Sequence, residues 1–156
     1  DAYWVAKTSP DLSTQNGALL VDNAGEVIGF GYNEFPKGVE YTDERWVQPL
    51  KYEIIEHAER NAIFHAARIG RPTWGTTMIV PWAACTDCAR AIIQSGIFQL
   101  VRHKQSMQRG ATGNWSPSIS IADQMLIEAG VEIHEIDWIY DDDRMQILDV
   151  VALFTP

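Results

Sequence analysis

Apolar and polar residues alternate in period along the chain, and the changes of period mark the elements. Residues 1–8 have apolar positions at Tyr3, Trp4 and Ala6 and read as the tail of a helix, stopped by Ser9-Pro10-Asp11. Residues 17–21 and 27–32 are apolar runs around the turn Asp22-Asn23-Ala24-Gly25, the pattern of a β-hairpin. Residues 33–52 form a long connection with Pro36, Gly38 and Pro49, and connections of that length in compact domains tend to be functional. Ala58, Ala62, Ile63, Ala66 and Ile69 then follow helical spacing, with Gly70 and Pro72 as the stop. Beyond it the pattern predicts a strand over 76–80, a helix over 86–94, a strand over 97–101, a Gly-, Ser- and Asn-rich loop over 104–118, a helix over 119–129 and a strand over 131–136.

The order α-β-β-α-β-α-β-α-β is that of an α/β fold: a five-stranded mixed sheet between helices, three layers in all. With 156 residues the chain reads as a single domain, residues 1–156, with room for a full core. The segment 137–156 reads as a C-terminal extension. Its Asp141-Asp142-Asp143 run is a solvated turn, and its Met145 to Phe154 stretch is too apolar for a free tail. It is expected to pack on the domain or on another subunit of a homo-oligomer.

Charge narrows the partners. The net charge is −9, from 21 acidic and 12 basic residues, without the basic stripe of a protein that grips nucleic acid. A small-molecule substrate is expected, and no nucleic acid. No apolar run reaches the ~18 residues of a membrane span, and the N-terminus has no signal-peptide pattern. The two cysteines sit at metal spacing rather than in a disulfide framework, which suits a reducing cytoplasm.

The candidate chemistry lies in two short stretches. His57-Ala58-Glu59 opens the central helix, and Cys85-Thr86-Asp87-Cys88 holds both cysteines. One His, an H-x-E carboxylate and a downstream C-x-x-C are the parts of a zinc hydrolase that deaminates bases. Zinc (Zn2+) takes three protein ligands, here His57, Cys85 and Cys88, and keeps a fourth position for water, whose pKa falls to roughly 7. Glu59, not a ligand, is left to carry protons to the departing ammonia. Positions i and i+2 lie ~200° apart on an α-helix. His57 and Glu59 therefore reach one metal only if the helix starts near His57 with its N-terminus facing the ion. Cys85 and Cys88 at i and i+3 share a face. His65, His103 and His134 read as structural or surface residues.

One rival uses the same cysteines. Residues 79–90 also look like the strand, Trp82, C-x-x-C and helix of a thioredoxin-like redox protein without metal. That reading leaves H-x-E unexplained. A non-catalytic assembly module with this fold is the remaining alternative, and an intact H-x-E argues against it.

With these motifs placed, the chain resembles the cytidine and deoxycytidylate deaminase superfamily, most closely its deoxycytidylate (dCMP) branch. The likeness is carried by residues 17–22, Gly31-Tyr32-Asn33 with Pro36-Lys37-Gly38, His57 to Ile63 and Cys85 to Ala89, and by residues 92–97 and 129–131. It implies zinc-dependent conversion of a cytosine nucleotide, dCMP to dUMP plus ammonia. The alternative within the same chemistry is a nucleoside, a free base or another aminated heterocycle. It also implies roles: Asn33 hydrogen-bonds the nucleoside, the Ala58 N–H holds the base carbonyl, and the Ala83 C=O accepts from the amino group that leaves. Lys37 occupies a position that is basic in the dCMP branch. Lys37, or the basic cluster Arg102-His103-Lys104 with Arg109 beyond it, is expected to grip a 5′-phosphate, and Trp115 to close over sugar or base. Three features depart from the family. Ala84 stands where a Pro usually precedes the first Cys, Glu34 replaces the Gly of nucleotide-regulated members, and no cysteines remain for a second zinc site.

Overall fold

The structure, a computed structural model, describes residues 1–110 and 116–137. The expectations for Trp115 and for the extension from 138 onward lie outside the described residues. In chain order the elements are α1 (Ala2–Lys7), β1 (Gly17–Val21), β2 (Val27–Tyr32), a 3-10 turn (Asp43–Trp46), α2 (Leu50–Ile54), α3 (Ala58–Arg68), β3 (Thr77–Ile79), α4 (Thr86–Gln94), β4 (Gln99–His103), α5 (Lys104–Gly110), α6 (Ser116–Glu128) and β5 (Glu132–Ile136).

The five strands form one sheet in the order β2-β1-β3-β4-β5. β1 is antiparallel to both β2 and β3, while β3, β4 and β5 run parallel. Pairing aligns Leu20, Met78, Leu100 and Ile133 in one row and Leu19, Ile79, Val101 and His134 in the next. Because strand side chains alternate between faces, the two rows serve different layers. The first row meets α3, α4 and α6 in the main core, with Ala58, Ala62, Ala66, Ala89, Ile92, Ala122 and Leu126. The second contributes Leu19 and Ile79 to a smaller cluster with Ala2, Val5 and Val21 beneath α1. The result is the three-layer mixed-sheet architecture expected from the sequence.

Helix α3 lies unusually close to β2, and the residue types explain how. Ala58, Ala62 and Ala66 recur every four residues, one above the other on a helix face. Opposite them stand Gly29 and Gly31. A Cβ on Gly31 would fall 2.4 Å from the Ala58 carbonyl oxygen and 2.4 Å from the Ala62 nitrogen. These are backbone atoms and cannot swing aside, so only glycine fits.

Two expectations are corrected. The loop read over 104–118 is helical at both ends: Lys104–Gly110 forms α5, and α6 begins at Ser116, before 119. Lys, Gln, Met and Arg at 104–109 are good helix formers, and Pro117 is tolerated in a first turn. The connection 33–52 also carries structure, with the 3-10 turn at Asp43–Trp46 and the first residues of α2. Within it Phe35 is fully buried and stacks on Trp46, ring centroids 4.1 Å apart.

The glycine contact yields a stability test. Gly31→Ala is expected to force α3 off β2 and to destabilise the fold by about 1–3 kcal/mol, the usual range for overpacking. Chemical denaturation of the variant beside the wild type measures it; an unchanged midpoint would show that the close approach is not required.

Candidate active site

Two helix N-termini converge on the site, and each has a candidate metal ligand at its cap. His57 is the N-cap residue of α3 and Cys85 that of α4. An N-cap side chain usually bonds the free N–H groups of its own helix. Neither His57 nor Cys85 does so. Other segments supply the caps instead. Asn33, just past β2, accepts the Ala58 N–H at 2.9 Å through Oδ1, and Ser118 of α6 accepts the Thr86 N–H at 3.1 Å. The imidazole and the thiol are thereby left to point at each other. Arg60 of α3 bonds Glu56 and reaches Asp87 of α4 at 3.6 Å, tying the two helix starts together.

His57, Cys85 and Cys88 form a compact donor set, with one ligand atom from each lying within 4.8 Å of the others. The His57 Nδ1 lies 3.5 Å from the Sγ of each cysteine. Zinc bonds of ~2.05 Å to nitrogen and ~2.3 Å to sulfur, set at a tetrahedral angle, put N and S ~3.5 Å apart. The donor set therefore fits zinc in chemistry and in spacing. The hydrogen bond from Cys88, opposed by burial and helped by His57, brings the Cys85 thiol down to about 4, so it is a thiolate at neutral pH. The same hydrogen bond and burial push Cys88 well above its usual value. Burial pulls His57 down, but Cys85 and Glu59 outweigh it and the ring is held above its ordinary value.

Glu59, at the second position of α3, is 2% exposed and its Oε2 has no hydrogen-bond partner. Burial pushes its carboxyl above the usual carboxylate range, against the pull of His57. It lines one cleft with His57, Cys85, Trp82, Ala83 and Asn33.

The structure brings some expected residues together and separates others. Asn33 lines the cleft, but the Ala58 N–H expected to hold a base carbonyl is already donated to it, and the Asn33 amide donates to the Thr14 carbonyl at 2.9 Å. Arg102 is not in the cleft wall. It belongs to strand β4, is 6% exposed, and binds Asp123 through two nitrogens at 2.6 and 3.0 Å and Glu135 at 2.8 Å. Two carboxylates occupy the fork that a phosphate would need, so the phosphate role expected of Arg102 is withdrawn. Its neighbour His103 is also buried and bonded, to Tyr3 and Ser106. Lys37 is exposed on the loop after Asn33 and lies outside the cleft wall.

Sequence reasoning missed part of the cleft lining. Asp11, Thr14, Asn16, Lys51 and Tyr52 line it, with Ser106, Met107 and Ile119. Asp11 had been read only as part of a helix stop. The signal available was the Asp-x-Ser-Thr spacing at 11–14, which folds its own backbone N–H groups onto the carboxylate.

A His57, Cys85 and Cys88 donor set at two helix starts, beside the buried Glu59 on this sheet, fits a zinc-dependent hydrolase of the deaminase kind. Comparison with known proteins is more specific. A family model described as the cytidine and deoxycytidylate deaminase zinc-binding region matches residues 1–104, and the chain belongs to that family. It is 32% identical over 132 residues to an Aliivibrio fischeri protein named as an uncharacterized deaminase in luxG 3'region, covering 85% of this chain and 86% of that one. It is 31% identical over 175 residues to the deoxycytidylate deaminase of Enterobacteria phage T4, covering 86% of each. The match to the Homo sapiens deoxycytidylate deaminase, 32% over 106 residues, spans 64% of this chain and 58% of the human one. In fold it is similar to the dCMP deaminase of cyanophage S-TIM5, crystallised with dCMP and dUMP, at a TM-score of 0.69 and 22% identity over 86% of this chain and 90% of that one. Zinc is the family's metal, and the metal-free thioredoxin-like reading falls. Among the described residues no helix is long and apolar enough to cross a membrane.

Two outcomes follow from this geometry. Zinc uptake by metal-free protein is expected to release protons from the donor set at neutral pH, since Cys88 and His57 are both held above their ordinary values. Affinity should then climb about tenfold per pH unit for each proton displaced while pH stays below the raised pKa. Titration in two buffers of different ionisation enthalpy measures the release, and pH-independent affinity would contradict it. Arg102→Ala is expected to destabilise the fold by on the order of 2 kcal/mol, the loss for a buried pair discounted because Glu135 is partly exposed. It should leave any preference for nucleotide over nucleoside as it was; a selective loss of nucleotide turnover would restore the phosphate role.

Proposed function

We propose that this chain, as one catalytic domain, deaminates a cytosine nucleotide hydrolytically, converting dCMP and water to dUMP and ammonia. His57, Cys85 and Cys88 are the proposed zinc ligands. The observation that carries the reading is Glu59: a buried carboxyl with a free oxygen, at the rim of a nitrogen–sulfur donor set and not part of it. Zinc held there supplies the Lewis acidity that makes water a nucleophile at neutral pH.

The chain's own groups do the rest. The C4 carbon of the base gains oxygen from water and loses its amino nitrogen. Glu59 takes one proton from the attacking water and gives it to N3 of the ring, then takes the second from the hydroxyl now on C4 and gives it to the departing amine. Its raised pKa suits that exchange, since a proton carrier works best with a pKa near the working pH. The Ala83 C=O accepts from the amino group. Asn33 bonds the nucleoside through the amide hydrogen that Thr14 does not use. Ala58 acts through Asn33, to which its N–H is given. Lys37 is the proposed rim contact for the 5′-phosphate. The phage relative that matches over most of both chains is a deoxycytidylate deaminase, which favours the monophosphate. The extension past 137 and the pairing of copies into a homo-oligomer are proposed with it, as is a cytoplasmic setting that keeps both cysteines reduced.

Ammonia release from dCMP, deoxycytidine and cytosine tests the reading. dCMP is expected to exceed deoxycytidine by orders of magnitude in kcat/KM, with Lys37→Ala narrowing the gap. Equal rates would move the substrate to the nucleoside class. Glu59→Gln is expected to keep zinc and fold and to lose at least ~10²–10⁴-fold in turnover. Near-normal activity in a zinc-loaded variant would rule out the proton-carrier role.

A further inference from the structure

The lining of the cleft includes a second unsatisfied carboxylate. Asp11 is 2% exposed, and its two oxygens are treated very differently. Oδ1 receives the Lys51 ammonium at 2.6 Å, the Ser13 hydroxyl at 2.7 Å and the backbone N–H groups of Ser13 and Thr14 at 3.2 Å each. Oδ2 receives nothing, although it is buried. Lys51 is itself buried and also donates to the Ser13 hydroxyl at 2.6 Å. The carboxylate therefore cannot rotate without breaking its Oδ1 contacts. Asp11 lines the cleft, and a bare, fixed oxygen is costly unless something donates to it. Asn16, in the same wall, also has a buried side-chain oxygen without a partner. Among the described residues, three of the five buried side-chain polar atoms lacking a partner are oxygens of this one cleft, those of Asp11, Asn16 and Glu59.

Chemistry selects what binds there. The missing partner must be a hydrogen-bond donor. A phosphate offers only acceptors and a charge of the wrong sign. This step rests on the reading of the substrate as dCMP. The ring N3, the ring carbonyl and the phosphate of dCMP accept. Its amino group donates, but that group must sit at the metal end, beside Glu59. One donor remains, the 3′-hydroxyl, since a deoxyribose has no other. We propose that Asp11, oriented by Lys51 and Ser13, is the receptor for the 3′-hydroxyl of the nucleotide and makes the enzyme selective for substrates that carry one.

The experiment compares dCMP with its 3′-deoxy analogue, 2′,3′-dideoxycytidine 5′-monophosphate, in zinc-loaded wild type and in Asp11→Asn. Hydrogen bonds to charged groups set the expected size: the analogue should be roughly 10–100-fold poorer in kcat/KM for the wild type. Asp11→Asn, which keeps an oxygen for Lys51 and Ser13, should shrink that ratio to a few-fold, with thermal denaturation confirming that it folds. Should the variant not fold, the wild-type comparison decides alone. Equal use of the two nucleotides by the wild type would mean that water satisfies Oδ2, and would overturn the proposal. So would a ratio that survives Asp11→Asn undiminished. Turnover of some other aminated heterocycle with none of dCMP is a different result: it overturns the nucleotide reading, and this inference with it.

Discussion

A side chain that binds a metal from the N-cap of a helix cannot also cap that helix. This conflict shapes the site. His57 and Cys85 both stand at N-caps, where the exposed N–H groups and the helix dipole favour thiolate and other negative charge. If either side chain turned back to serve its own helix, the donor set would come apart. The fold resolves the conflict by importing caps: Asn33 from the end of β2 serves α3, and Ser118 from α6 serves α4. An N-cap hydrogen bond contributes ~1 kcal/mol, about what the helix would lose without the import. The end of the hairpin and the start of the last helix are thus tied to a metal site to which neither supplies a ligand.

The imported caps work only if their elements arrive close enough. For Asn33 that depends on Gly29 and Gly31, which let α3 settle against β2 backbone to backbone. The backbone bridge between Glu34 and Glu56, with N–H···O distances of 2.8 and 3.1 Å, then closes the loop just ahead of His57. Asn61 adds a bond to the Tyr32 carbonyl at 2.8 Å. The strand thereby sets both the position of α3 and the point at which it begins. That starting point is what turns His57 and Glu59, on opposite sides of a continuous helix, toward one cleft.

Features encoded by short spacing were legible in the sequence. The five strands, the central helix beginning at His57 and the i, i+3 cysteines all follow from periods and motifs within a dozen residues. Long-range pairing was hidden. The Lys51–Asp11 pair joins residues 40 apart in the chain, and in sequence Lys51 looks like one more solvated lysine in a connection. Arg102 was misread for the same reason. Beside His103 and Lys104 it makes a basic cluster on paper, but its partners Asp123 and Glu135 lie 21 and 33 residues away. The strand also runs two residues further than its apolar run, so Arg102 and His103 are its last two residues and not a loop. Helix α5 was missed because Gly110 and Gly113 dominated the reading of a stretch whose other residues favour helix.

The charge of the cleft constrains how an anionic substrate can lie in it. The chain carries −9 overall, and two carboxyl residues, Glu59 and Asp11, line the cleft. Lys51 is spent on Asp11, so it does not offer an unpaired positive charge to a ligand. A phosphate dianion placed deep in the cleft would meet two acidic groups in a medium of low dielectric, where like charges repel far more strongly than in water. The proposed arrangement for dCMP puts the base at Glu59 and the donor set, the sugar hydroxyl at Asp11 and the phosphate away from both carboxyls. Outside the cleft, repulsion from the net charge is screened over roughly 8–10 Å of salt solution, and a single rim cation such as Lys37 acts at short range. An acidic enzyme can therefore take a nucleotide without a basic groove, provided the acidic groups it buries are the ones that need a donor.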